Sequence, residues 1–258
     1  MDRDYYNDIS ADDSTDELPQ QAKGSESEVV VTVSLIVDIK KKLKDFKLEV
    51  SFESKDGVTA LSGSSGSGKS MTLKCIAGIV KPDWGYIELD QKVLFDSDKG
   101  INLPPQQRHV GYLFQNYALF PNMTVERNIG CAIRRKNKSE TIKEYIKRFR
   151  LKGLEKRYPF ELSGGQQQRA ALARAFASQP EILMLDEPFS ALDSYLKREL
   201  EQEMIEFLSD FKGVVLFVSH NWDEVLRLCD RVVFISEGKS STLPDNWGLP
   251  GASLPFLS

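Results

Sequence analysis

Apolar and polar positions change their rhythm several times along this chain, and each change predicts a different element. Between residues 29 and 39, and again between 46 and 52, they alternate, which predicts two antiparallel strands with one face turned to a core. A shorter apolar run at 58–61 predicts a third strand that passes directly into a Gly/Ser loop and then a helix from about Lys69 to Gly78. Over 140–150, Ile142, Ile146 and Phe149 recur at helical spacing with basic residues between them. That stretch belongs to a small helical lobe expected from about Gln115 to Leu162. The runs 182–185 and 214–218 are apolar without alternation, as in parallel strands covered on both faces. Between them Leu196, Leu200, Met204, Phe207, Leu208 and Phe211 repeat at helical spacing, and Asp193 is a suitable N-cap for that helix.

The two ends lack any such rhythm. Residues 1–28 are rich in Asp, Glu, Ser and Gln with almost nothing apolar to bury, so an acidic disordered tail is expected there. After Glu237 the chain turns to Ser, Pro and Gly, and an irregular tail is expected over 239–258. One folded unit, 29–238, is left between them.

Composition narrows the class. A chain of 258 residues with 41% hydrophobic and 28% charged residues reads as an ordinary soluble globular protein with room for one large domain or a core and a smaller lobe. The net charge of −4 argues against a nucleic-acid-binding surface. The longest apolar run, 29–37, is broken by Thr32 and Ser34 and is too short to cross a bilayer. The acidic N-terminus is unlike a secretory signal. Cys75, Cys131 and Cys229 are odd in number and far apart, which suits buried thiols in a reducing cytoplasm rather than disulfides or metal ligands.

Chemistry enters with the loop Gly63-Ser64-Ser65-Gly66-Ser67-Gly68-Lys69-Ser70, which fits Gly-x-x-x-x-Gly-Lys-[Ser/Thr] and lies between a predicted strand and a predicted helix. Glycines let backbone N–H groups wrap phosphate oxygens, and the helix N-terminus, running on into Met71, adds favourable partial charge. Lys69 then reaches the β- and γ-phosphates and the Ser70 hydroxyl ligates Mg2+. A flexible linker has similar composition but needs neither Lys-Ser at that place nor a strand before it. The buried run 182–185 ends in Asp186-Glu187, where ligands of open α/β sheets lie. Asp186 is placed to hold magnesium and Glu187 to polarise an attacking water, although alone they would read as a solvated turn before Pro188. The run 214–218 leads likewise to Ser219-His220; if its strand shares the sheet, His220 contacts the γ-phosphate, and otherwise it is a structural donor.

Leu162-Ser163-Gly164-Gly165-Gln166, followed by a helix from Gln167 to about Ala177, completes a resemblance to the ABC ATPase family. The order is P-loop, Gln115, this signature, Asp186-Glu187, Ala191-Leu192-Asp193 and His220, over about residues 29–238. The resemblance implies an α/β P-loop NTPase (RecA-like) core with an antiparallel β subdomain and a small α-helical subdomain. It implies ATP and Mg2+ as cofactors, and Glu187, His220, Gln115 and Lys69 as the catalytic group. Ser70, Gln115 and Asp186 are the implied metal contacts. Ser163, Gly164, Gly165 and Gln166 would meet the nucleotide of a second copy in a head-to-tail dimer, and Asp193 would cross that interface. Leu43, with Phe46 three residues on, stands where most cassettes carry an adenine-stacking aromatic.

Residues 103–129 resemble the importers of oxyanions, sugars, polyamines and iron, and the first hairpin with residues 93–104 is most similar to molybdate/tungstate-type ATPases. The implied setting is the cytoplasmic face of the cell membrane, against permease subunits and, indirectly, an extracytoplasmic solute-binding protein, without nucleic acid. No C-terminal regulatory domain is expected. Other classes fit less well. Soluble ABC proteins of ribosomes or DNA carry two cassettes or a long insertion between Gln115 and the signature, and non-hydrolysing cassettes replace the base that Glu187 supplies here.

Overall fold

The structure, a computed structural model, describes residues 33–44, 46–133, 137–190 and 194–242. The expected acidic tail, the start of the first strand at Val29, Asp193 with Ala191 and Leu192, and everything after 242 lie outside the described residues.

Among the described residues, eleven strands form one sheet: β1 Ser34–Lys42, β2 Lys47–Lys55, β3 Gly57–Ser62, β4 Trp84–Leu89, β5 Lys92–Asp96, β6 Ile101–Asn102, β7 Val110–Leu113, β8 Ile182–Asp186, β9 Val214–Val218, β10 Arg231–Ser236 and β11 Lys239–Thr242. Six helices accompany them: α1 Lys69–Ile76, α2 Val125–Gly130, α3 Lys138–Arg148, α4 Gly164–Ala177, α5 Ser194–Ser209 and α6 Trp222–Leu228. The sheet order is β6-β5-β4-β1-β2-β11-β10-β3-β9-β8-β7. The first five strands pair antiparallel, with β1 and β2 in full register from Ser34↔Lys55 to Lys42↔Lys47. The series β10-β3-β9-β8-β7 is parallel throughout.

Strand periodicity explains how one sheet serves two cores. In β8, Ile182 and Met184 pack with Leu73 and Ile76 of α1, whereas Leu183 and Leu185 pack with Ala171 of α4 and Met204 of α5. In β9, Val214, Leu216 and Val218 join the first group, and Val215 and Phe217 the second. An unbroken apolar run is therefore the only sequence that hides every side chain on both faces. In β1 the alternation is real, with Leu35, Val37 and Ile39 buried and Ile36 partly exposed.

Two expectations need correction. The irregular tail placed from 239 begins instead with β11, which hairpins onto β10 and lies parallel to β2. Ser240 serves as a partner of β2 rather than as a breaker: its Oγ accepts from Ser51 N at 2.7 Å and donates to Ser51 O at 2.9 Å. The cysteines are not uniformly buried. Cys75 is buried and Cys229 half-buried, whereas Cys131, just past α2, is exposed.

Arg108 is fully buried and closes the C-terminal end of α1. Its Nη1 donates to the carbonyls of Cys75 (3.0 Å) and Ile76 (2.8 Å), its Nε to Leu103 O (2.7 Å) and its Nη2 to Asn102 Oδ1 (2.8 Å). A cation there adds donors to the carbonyls of the last helical turn, where Cys75 O otherwise has only Gly78 N, and opposes the negative end of the helix dipole. Burial pushes the guanidinium pKa down to about 10, so it stays charged at neutral pH.

Candidate functional site

The loop from Gly63 to Gly68 carries the chain from β3 into α1. Gly63 and Gly68 lie at φ 143° and 112°, in backbone that side chains rarely adopt. A Cβ on Gly63 would stand 2.0 Å from the Ile235 carbonyl oxygen, and one on Gly68 would meet Leu48 at 2.5 Å. Lys69 Nζ donates to Gly63 O and Ser64 O at 2.8 Å each, so the ammonium is held over the loop. Burial lowers the Lys69 pKa, and the nearby Glu187 and Asp186 carboxylates oppose that shift. The Ser67 hydroxyl is buried within this turn and has no hydrogen-bond partner among the described residues. Ser64 and Ser65 are exposed. An unpaired hydroxyl, a lysine and a turn whose backbone angles only glycine takes easily are what a polyphosphate requires.

β8 delivers two acids beside it. Asp186 is held at both oxygens: Oδ1 accepts from Ser70 Oγ at 2.8 Å and Oδ2 from the Tyr112 hydroxyl at 3.0 Å. Burial and the Asp186 charge push the Tyr112 phenol up, so it remains a donor. Ser70 and Asp186 offer hard oxygen ligands side by side, a donor set that fits Mg2+ with most of its shell left to water and phosphate. Glu187 follows at φ 47°, a strained value for a residue other than glycine, with its N–H bonded to Val218 O at 3.0 Å. Its carboxylate meets Gln115 Nε2 at 3.2 Å and His220 Nδ1 at 3.3 Å. Adjacent parallel strands β7, β8 and β9 thus place Gln115, Glu187 and His220 together just past their carboxyl ends.

A cleft of about 340 Å³ is lined by Leu43 and Phe46, by Lys69, Ser70 and Met71, and by Gln115 and Glu187. The signature is not part of it. Ser163 caps α4 through a capping box, accepting from Gln166 N at 3.4 Å while its own N–H donates to Gln166 Oε1 at 3.0 Å. Ser163 and Gly164 are exposed, Gln166 is half-buried and Gly165 is buried. Asp193 lies outside the described residues. Tyr112 and Ser190, whose hydroxyl lies 3.4 Å from Gln115 Nε2, are site residues that sequence reasoning did not select.

Residues 44–190, more than half of the chain, match the ABC transporter family. The chain belongs to that family. Among curated relatives, the cassette is 38% identical over 84% of its length to the molybdenum import ATP-binding protein ModC of Aliivibrio fischeri, covering 60% of that protein. It is 43% identical over 74% of its length to the Fe(3+) ions import ATP-binding protein FbpC 2 of Haemophilus influenzae, covering 55% of that protein. The chain thus spans about three fifths of the length of the first curated relatives it matches. Among solved structures, the ATP-binding cassette MJ0796, in a dimeric post-hydrolysis state with ADP and Pi, superposes with a TM-score of 0.67 at 26% identity over 82% of this chain and 99% of that one. The cassette's α/β sheet is therefore that of the family, and among the described residues no helix is long and apolar enough to cross a membrane.

Proposed function

We propose that this cassette hydrolyses ATP to drive an importer, and that the imported solute is an oxyanion such as molybdate. The observation that carries the reading is the Gln115–Glu187–His220 cluster set beside Lys69 and the Ser70–Asp186 pair. Lys69 and the N–H groups of Gly66–Ser70 hold the β- and γ-phosphates. Ser70, Asp186 and Gln115 hold Mg2+, which when bound neutralises charge on the transferred phosphoryl group. Glu187 takes the proton of the attacking water; Gln115 fixes that carboxylate from one side and His220 from the other, where the imidazole also faces the γ-phosphate. Leu43 and Phe46 offer the base an apolar contact.

The exposed Ser163 end of α4 supplies an anion site that serves a second copy, so two chains dimerise head to tail with each nucleotide between them. Asp193 crosses that interface. The pair works peripherally on the cytoplasmic face of the membrane, against permease subunits fed by an extracytoplasmic solute-binding protein. Solute identity rests on the relatives' names, since an ATPase subunit never touches the cargo. The 43% identity to an Fe(3+) importer subunit supports iron as a second reading.

Deleting the gene and measuring uptake of radiolabelled molybdate and iron separates the two. Loss of molybdate uptake alone, restored by the wild-type gene but not by Lys69→Ala, is the expected result. Loss of iron uptake alone would overturn the oxyanion reading, and full rescue by Lys69→Ala would overturn the ATPase reading.

A further inference from the structure

The loop that presents Gln115 is strained, and a residue of the signature helix bonds its two strained carbonyls. After β7 the chain makes a turn with Gln115 and Asn116 at its centre, closed by Tyr117 N donating to Phe114 O at 2.8 Å. Ala118 N then donates to Asn116 O at 2.7 Å, a three-residue turn about Tyr117. Tyr117 and Ala118 lie at φ 60° and 44°. Turns of this kind with positive φ are rare, and two consecutive non-glycine residues there persist only where the surroundings impose them.

The Tyr117 ring is anchored in the hydrophobic core, and the strained backbone carbonyls meet an arginine. Arg174 of α4 donates from Nη2 to Tyr117 O at 3.1 Å and from Nη1 to Ala118 O at 2.8 Å, gripping both strained carbonyls. Its guanidinium lies 5.3 Å from the Phe120 ring centre, which orients it. Phe120 is in turn pinned by Asn128, whose side chain bonds both Phe120 N (2.8 Å) and Phe120 O (3.2 Å). Three residues before Ala118, Gln115 reaches Glu187. We propose that Arg174 is a positioning residue that holds the Tyr117–Ala118 backbone in this strained form and so aims Gln115 at the Glu187 carboxylate, joining the signature helix to the hydrolytic centre of the same chain. The inference rests on the proposed ATPase reading. Arg174 does not line the phosphate cleft; its effect passes through Gln115.

The test is ATP hydrolysis by the full chain with Mg2+, with kcat and KM for ATP measured for wild type, Arg174→Ala, Gln115→Ala, the pair of these, and Arg174→Ala combined with Ala118→Gly. Misplacing Gln115 should lower kcat of Arg174→Ala by about ten- to a hundredfold, with KM within about twofold. In the Gln115→Ala background, adding Arg174→Ala should cost nothing further, because the residue it acts through is gone. Ala118→Gly should restore most of the lost kcat, since glycine takes φ 44° without a clamp. Equal losses from Arg174→Ala with and without Gln115, or no rescue by Ala118→Gly, would overturn the proposal. If Arg174→Ala does not fold, Arg174→Lys, which keeps the charge but not the two-pronged grip, is put through the same cycle with the same criteria. A wild-type chain that does not hydrolyse ATP would reject the underlying ATPase reading instead, and this inference with it.

Discussion

Ser70 and Asp186, 116 positions apart in the chain, are joined by a 2.8 Å hydrogen bond between the start of α1 and the end of β8. That bond brings the phosphate loop and the acidic strand end together as one site. The second oxygen of Asp186 belongs to Tyr112, so the carboxylate has no freedom to turn.

Tyr112→Phe removes only that second bond, while the ring stacked on Phe114 at 4.0 Å is kept. Folding should be unaffected, and the Mg2+ concentration needed for half-maximal ATP hydrolysis should rise by about tenfold, the usual effect of losing an outer hydrogen bond to a metal ligand. A Mg2+ titration of ATPase activity checks it.

Gly63→Ala and Gly66→Ala distinguish space from backbone preference within one loop. A Cβ on Gly63 collides with Ile235 O at 2.0 Å, whereas one on Gly66 meets nothing within 4 Å and is opposed only by its φ of 77°. Gly66→Ala should therefore cost about 1–2 kcal/mol of stability, and Gly63→Ala clearly more. Urea unfolding of the two variants measures the difference.

Arg108→Ala should be among the most destabilising single changes. It removes the side-chain donor from the buried carbonyls of Ile76 and Leu103, takes one of two donors from Cys75 O, and leaves a cavity the size of the guanidinium. A loss of at least about 3 kcal/mol is expected, from buried acceptors left without donors, read as a shift of the urea midpoint. Arg108→Lys should recover only part, because a single ammonium cannot reach four acceptors in one plane.

What could be read from the sequence, and what could not, divides along physical lines. The runs 182–185 and 214–218 were legible as two-faced buried strands, because only burial on both sides accounts for apolar residues without a break. The phosphate loop, Glu187 and His220 were legible because each sits next to a strand end in the sequence itself. β4 was not, since Trp84 and Tyr86 face outward while Gly85 occupies an inward position, so its two faces look equally apolar. β11 reads as a breaker because its sequence is polar, and Ser240 serves the backbone of β2 instead of a core. Tyr112 and Arg174 carry no local mark at all. Their partners lie 74 positions away for Tyr112, and 57 and 56 for Arg174, and only the folded sheet brings them near.

Ser163→Arg places a bulky cation at the exposed start of α4. Loss of the cap should lower stability by about 1 kcal/mol, and binding of ATP to the chain's own P-loop should persist. ATP-induced dimerisation, followed by size-exclusion chromatography, should disappear, because in the proposed head-to-tail pairing the arginine would occupy the space for the partner's phosphates.

Single-turnover hydrolysis of radiolabelled ATP by Glu187→Gln tests whether Glu187 is the general base. The amide keeps the size of the side chain and its contact with Gln115 but cannot take a proton. The variant should bind ATP with Mg2+ as the wild type does, and its rate of product formation should fall by about 10²- to 10⁴-fold, leaving intact ATP on the protein. Product formation at the wild-type rate would show that Glu187 is not the base.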